Sequence, residues 1–422
     1  MASFSCYDIR SEFPELGRGV SYLDNAASTL KPRRVVEAMR EFSYLRYANV
    51  HRGVHRLSME ASRAYEDAHE VVGKFVGGSW DEVVFVRNST EAMQLASLAA
   101  LFNGYIGEGD EVVVTESEHH STLLPWLRVA KLARAKVKLL PVDERGVPRW
   151  DLLESYVGER TKVVAFNHVS NVTGYVNPVH KVASAVRKIN SEALIVLDAA
   201  QSVPHVPVDF RRMGVDMAVF SGHKMLGPTG IGVLWGRREL LESMEPPLGG
   251  GGTVRRVRVE EDSRVAVEWD STPWKFEAGT PPIIEAVGLA EAVSMLRELG
   301  MENVSAHEKQ LTRTAMKLLI DAAGDYIDFV GPRDPTLRHG IISFNLKGVN
   351  PDEVGLLLDR RGVAVRTGLH CAHILHDRLG YPQGSVRASF YIYNCPDDLE
   401  KLADGVSHIA SKAKNTARKP GK

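Results

Sequence analysis

Six short apolar runs, interleaved with stretches of helical spacing, leave this chain few ways to fold. They are Glu82–Arg87, Glu111–Thr115, Lys162–Phe166, Leu194–Asp198, Met217–Phe220 and Ile231–Trp235. Their apolar residues run on without in/out alternation, which marks strands covered on both faces. Strands of that kind alternating with helices build a mostly parallel sheet between helical layers, so the fold class is α/β. A helix is expected from about Thr90 to Phe102, directly after the first run.

Past about Ala278 the pattern changes. Helical spacing covers Ile284–Leu299 and Ser305–Ala323, apolar strands are expected at Gly340–Phe344 and Val363–Arg366, and a last helix starts near Asp397. That order reads as a smaller α+β unit, and 422 residues suffice for two. The expected division is residues 25–285 as the large unit and 1–24 with 286–416 as the small one, leaving 417–422 as a disordered tail. The stretch Gly249–Asp270 is glycine-rich, then charged, and reads as a mobile loop. The basic stretch from Ser411 to Lys422 reads as a frayed, solvated end.

Charge and cysteine content exclude several classes. Lys and Arg total 52 against 53 Asp and Glu, so no basic field points to nucleic acid or anionic lipid. No apolar stretch is long enough to span a bilayer, and the N-terminus lacks the pattern of a signal peptide. Three widely spaced cysteines, Cys6, Cys371 and Cys395, make neither a disulfide scaffold nor a Cys-x-x-Cys metal site. No metal is expected, and a reducing cytoplasm is the default setting.

Three motifs at strand ends carry the chemistry. Asn88–Ala92 lies where a strand yields to a helix, whose unpaired amides suit a phosphate; Ser89 and Thr90 add hydroxyls. Taken alone, it reads better as an ordinary N-cap. Asp198 ends a buried strand and needs a positive partner such as a protonated pyridine nitrogen, or else caps a helix. Lys224 follows Ser221, Gly222 and His223 on a tight turn after a strand, where lost solvation lowers an amine's pKa. A lone lysine would mean little. A phosphate cup, a later Asp and this lysine turn, in that order, supply the contacts that pyridoxal phosphate (PLP) requires.

The same order resembles the fold-type I PLP enzymes, in their class V aminotransferase-like group. The stretches Asn49–His55, Glu118–Ser121, His168–Gly174, Phe276–Thr280 and Arg366–Ala372 are similar to those of cysteine desulfurases. The short span from Cys371 to Arg387 resembles the Suf-type (group II) branch, and the likeness runs from about Asp8 to about Ile409. It implies a mostly parallel seven-stranded sheet and a homodimer. By the same resemblance Lys224 carries PLP as a Schiff base and moves the substrate α-proton. Asp198 pairs with the pyridinium nitrogen, Gln201 bonds the ring hydroxyl, and His119 stacks on the ring. Ser89, Thr90, Ser221 and His223 hold the phosphate, with Thr280 reaching in from the other subunit. Asn171 and Arg387 bind the substrate carboxylate, a task suited to the planar fork of Arg.

Cys371 selects the reaction. Most free cysteines are small buried hydrophobes, and Cys6 and Cys395 fit that description. Cys371 instead follows Gly368 and His370, with Arg366 nearby, a setting for a partly exposed thiolate. The resemblance makes it the acceptor of sulfur from L-cysteine, leaving L-alanine and a persulfide for an acceptor protein of iron–sulfur cluster or other sulfur biosynthesis. Competing readings are a selenocysteine lyase, a true aminotransferase, and a non-catalytic sulfur-relay scaffold. The chain departs from the resemblance at Leu369, where a second histidine is common, at Pro282, and at Val254-Arg255. His51 and His55 read as structural rather than catalytic.

Overall fold

The computed structural model describes residues 4–417. Its centre is a sheet of β1 (Val83–Val86), β2 (Glu111–Thr115), β3 (Lys136–Leu140), β4 (Thr161–Asn167), β5 (Leu194–Asp198), β6 (Met217–Ser221) and β7 (Gly232–Gly236). Across the sheet the order is β1-β7-β6-β5-β4-β2-β3. Only β7 runs antiparallel to its neighbours, β1 and β6. The continuous apolar runs are explained by the two cores they divide between. Phe85, Val113, Val164, Ile195, Ala218 and Val233 enter one. Their chain neighbours Val84, Val112, Val163, Val196, Val219 and Leu234 enter the other. Side chains alternate as in any strand, but both faces are covered.

One strand escaped the sequence pattern. Strand β3 lies at the sheet edge, with Lys136 exposed and Val137 to Leu139 half-buried, so its apolar signal is interrupted by lysines. The segment expected as a mobile loop is also structured. Val254–Val259 and Val265–Trp269 pair as an antiparallel hairpin, with Val257 opposite Val267 and Val259 opposite Val265. Its arginines and glutamates alternate with exposed valines, so burial leaves no trace in the sequence. Pro282, one of the departures, occupies the N-cap of helix Ile283–Leu299.

A second, antiparallel sheet takes β10 (Ile327–Val330), β11 (Ile341–Leu346), β12 (Arg366–Gly368) and β13 (Ser385–Ser389), in the order β10-β11-β13-β12, where β8 and β9 are the two hairpin strands. Helices Met301–Ala323 and Pro396–Ala417 share one apolar cluster with it, including Leu311, Leu319, Phe344 and Leu402. Helix Ile283–Leu299 instead buries Leu289, Val293 and Leu296 in the core of the large sheet. The last helix reaches Ala417, so the basic stretch from Ser411 is helical that far rather than frayed; residues 418–422 lie outside the described residues.

The cysteine reading needs a correction. Cys6 and Cys395 are joined in a disulfide with their Cα atoms 5.8 Å apart, across 389 residues of chain. They are buried, as expected, but they are not free thiols. Counting cysteines gave no sign of it, because the two meet only when the N-terminal segment packs beside the last helix. There Arg10 pairs with Asp397 and Asp398, and Phe13 lies against Tyr393 with ring centroids 4.5 Å apart. Replacing Cys395 by Ala is expected to cost about 2–4 kcal/mol by freeing the unfolded chain. A lower denaturation midpoint, to which reductant adds nothing further, would register that loss.

Candidate active site

A cavity of roughly 400 Å³ opens at the carboxyl ends of β4, β5 and β6, where ligands of open α/β sheets bind. Of the residues singled out in the sequence, Ser89, Thr90, His119, Asn171, Asp198, Gln201, Ser221, His223, Lys224, Cys371 and Arg387 all line it. Thr280 does not; it is exposed elsewhere on the chain. His51 and His55 are also outside. The His55 imidazole caps helix Arg56–Phe75 by accepting from Ser58 N, and His51 packs on Trp274.

The first strand-to-helix junction is more than a cap. Asn88 is the N-cap of helix Ser89–Phe102, accepting from Glu91 N at 3.0 Å, so the hydroxyls of Ser89 and Thr90 are not spent on capping. Ser221 Oγ accepts from Ser89 N at 2.8 Å and donates to Ser89 Oγ at 2.9 Å, tying β6 to the helix start. Gly232 makes the close approach possible. A Cβ there would fall 2.5 Å from Asn88 backbone atoms. His223 is neutral at pH 7, its pKa pushed to about 4 by burial and by the charges of Lys224 and Lys31.

Asp198 accepts from Thr122 Oγ1 at 2.9 Å and from Ala200 N at 3.0 Å, which fixes its carboxylate at the end of β5. Gln201 donates to Ala26 O at 2.7 Å, while its own Oε1 is buried without a partner. His119 Nδ1 accepts from Ser121 N at 3.1 Å, so its remaining proton sits on Nε2. Burial, then the charge of Lys224, hold its pKa down. Burial likewise pushes the Lys224 amine to about 8, Asp198 pulling it up and Arg387 pushing it further down.

Cys371 is exposed and sits with His370 on left-handed backbone, at φ 56° and 47°. Side chains and amides from the large sheet hold this loop. His120 N donates to Cys371 O at 2.8 Å, and Asn171 Nδ2 donates to His370 O at 2.8 Å. His370 Nε2 donates to Ser385 O at 3.1 Å, which leaves its Nδ1 lone pair without a partner. Burial and the nearby Arg387 push the His370 pKa far down, making it a poor base. Arg387 is itself buried, its pKa lowered to about 10 chiefly by burial. It donates to Asn171 O at 2.9 Å, and its Nε has no partner.

Asp24 shapes this site without any sequence signal, and Glu118, inside the Glu118–Ser121 stretch, does so in a role the stretch did not reveal. Asp24 lies between two arginines, taking Arg366 through both Nε and Nη2 and standing 3.5 Å from Arg387 Nη2. Glu118 is buried behind Asp198 and accepts from Thr115 Oγ1 and the Asn167 side chain. Burial, with Asp198 adding to it, raises its pKa to about 8, so it is mostly protonated at neutral pH. Thr115 before this acid and Asn167 far after it form no motif with it; only the sheet register, Asn167 opposite Asp198, assembles the group.

The family described as Aminotransferase class-V matches residues 21–402. A protein of Aeropyrum pernix named as a probable cysteine desulfurase is 67% identical, over 97% of this chain and 99% of its own. A cysteine desulfurase of Haloferax volcanii is 43% identical over 94% and 95%. Among solved structures, a cysteine desulfurase from Thermococcus onnurineus in its apo form superposes with a TM-score of 0.91 at 36% identity, over 98% of this chain and 100% of that one. A cysteine desulfurase of Escherichia coli, solved as an S-sulfonic acid, follows at 0.86 and 33%, with the same coverage.

Proposed function

The chain belongs to the class-V aminotransferase family, and on that premise we propose that it is a PLP-dependent cysteine desulfurase that loads substrate sulfur onto Cys371. The observation that carries this reading is the placing of Cys371 and Lys224 on one cavity, from opposite sheets. The cavity suits the cofactor. Gln201 Oε1, buried and unpartnered, awaits a donor such as a ring hydroxyl, and Asp198 offers a fixed carboxylate to a pyridinium nitrogen. Ser89, Thr90, Ser221 and His223 would hold the phosphate, with His119 over the ring. Thr280, outside its own cavity, is left for the phosphate of a second copy in a homodimer.

Bound there, PLP supplies an electron sink for the charge developing at the substrate α-carbon. The residues do the rest. Lys224 Nζ, partly neutral near pH 8, takes the α-proton. Arg387 fixes the substrate carboxylate with Asn171, whose amide has one N–H left beyond its bond to His370 O. Cys371 Sγ then attacks the substrate sulfur. The new S–S bond forms as the carbon–sulfur bond breaks, and carbon keeps the electron pair until protonation gives L-alanine. His370 is too weak a base to hold the thiol proton at rest, so deprotonation of Cys371 falls to the substrate complex.

We further propose the Suf-type branch, a reading supported by the short span from Cys371 to Arg387. On the proposed division into residues 25–285 and 1–24 with 286–416, Lys224 and Cys371 belong to different units, although helix Ile283–Leu299 packs in the core of the large sheet. An acceptor protein takes the persulfide, for iron–sulfur clusters or related sulfur products. No helix among the described residues is long and apolar enough to cross a membrane. We place the activity in the cytoplasm, where the buried Cys6–Cys395 bond is shielded from thiol reductants.

Purified protein should release alanine and sulfide in equal amounts from L-cysteine with a reductant. Equal preference for L-selenocysteine, or glutamate formed from a keto acid, would sink the assignment. Arg387→Ala should raise KM for L-cysteine by about a hundredfold, the worth of a lost charge-assisted bond pair.

A further inference from the structure

Lys31 is a half-buried cation that the chemistry above leaves unused. Its Nζ donates to the backbone oxygen of His223 at 2.9 Å. The same oxygen accepts from Thr29 N at 3.0 Å, Thr29 Oγ1 at 3.1 Å and Ser28 Oγ at 3.2 Å. A carbonyl has two lone pairs, so four donors exceed what its satisfaction requires. Burial pushes the Lys31 pKa down to about 8, and only the charge of Glu15 opposes this. An ammonium is the most expensive donor to desolvate for a neutral partner that Ser28 and Thr29 already serve. Simple satisfaction of a backbone group therefore does not account for it.

The oxygen concerned belongs to the peptide that joins His223 to Lys224. Peptide planarity means that fixing this oxygen also fixes the nitrogen and Cα of Lys224. The rest of the turn is anchored too. Gly222 N donates to Ile231 O at 2.9 Å, and Leu226, at φ 69°, donates through its N–H to Thr29 Oγ1 at 3.0 Å. A charge-assisted bond is the stiffest member of such a clamp.

We propose that Lys31, with Ser28 and Thr29, is a positioning residue for Lys224, clamping the His223 carbonyl so that the Lys224 amine is held where the substrate α-proton is exchanged. This rests on Lys224 being the cofactor-bearing lysine. Proton exchange can be read without sulfur transfer, by following loss of the α-proton of L-alanine in D2O catalysed by the holoenzyme. Lys31→Met should slow that exchange and kcat with L-cysteine by the same factor, about tenfold, as misplacement of a reacting group does. KM should hold within about twofold, because the carboxylate site is untouched. Lys31→Arg, which keeps charge and donor, should recover most of the loss. Thr29→Val should move exchange in the same direction, and it reads the clamp even if Lys31→Met does not fold.

Wild-type exchange in Lys31→Met or, failing that variant, in Thr29→Val overturns the proposal, as does a Lys31→Arg no faster than Lys31→Met. Borohydride trapping and peptide mapping separate the two claims. A label on a lysine other than Lys224 removes the premise. A label on Lys224 with undiminished exchange in the variants removes only the clamp.

Discussion

Cys371→Ser is expected to lose sulfide release by about a thousandfold or more while keeping the cofactor's absorption and the exchange of the L-alanine α-proton. The oxygen that replaces Sγ is a far weaker nucleophile toward sulfur, and its hydroxyl does not ionise near neutral pH. Nothing else in the site depends on the thiol. The loop is held through the carbonyls of His370 and Cys371, by Asn171 and His120, and those bonds are made by backbone atoms that serine also has. Serine tolerates the left-handed backbone at this position as well as cysteine does. The side chain is exposed, so stability should change by less than about 0.5 kcal/mol. Sulfide release at the wild-type rate would mean that sulfur leaves the substrate without passing through Cys371.

Much of this was legible in the sequence, for a physical reason. Strands buried on both faces must be apolar throughout, so β1, β2, β4, β5, β6 and β7 announced themselves. The strand ends then placed Ser89, Asp198 and Lys224 on one side of the sheet. Legibility ended where burial did. Strand β3 is an edge strand, and the hairpin at Val254–Trp269 is exposed on both faces, so neither left an apolar run. Pairings between distant parts of the chain were silent as well. Asp24 meets Arg366 and Arg387 more than three hundred residues on. Cys6 meets Cys395, and Lys31 meets the His223 carbonyl, only through the fold. Residue types at a spacing reveal a motif, whereas a carbonyl reveals nothing, since every residue has one.

Lys224→Ala should remove both activities together, α-proton exchange and sulfide release, each by about a thousandfold or more. Its folded state should survive. The amine carries a desolvation cost, seen in its pKa near 8, and removing it lifts that cost. Asp198 would lose a favourable charge but would remain bonded to Thr122 and Ala200 N, so no buried carboxylate is left bare. PLP would still find its phosphate and ring contacts, but borohydride would no longer fix it to the chain. Added methylamine should restore a fraction of the exchange, since a small base can enter a cavity of roughly 400 Å³ beside the vacated position. Exchange near the wild-type rate without added amine would show that another group moves the proton, His119 Nε2 being the nearest in chemistry. Set beside Cys371→Ser, which keeps exchange and loses sulfide, the loss of both in Lys224→Ala orders the steps. Proton removal by the lysine precedes sulfur transfer to the cysteine, and a variant of the first residue therefore silences the second.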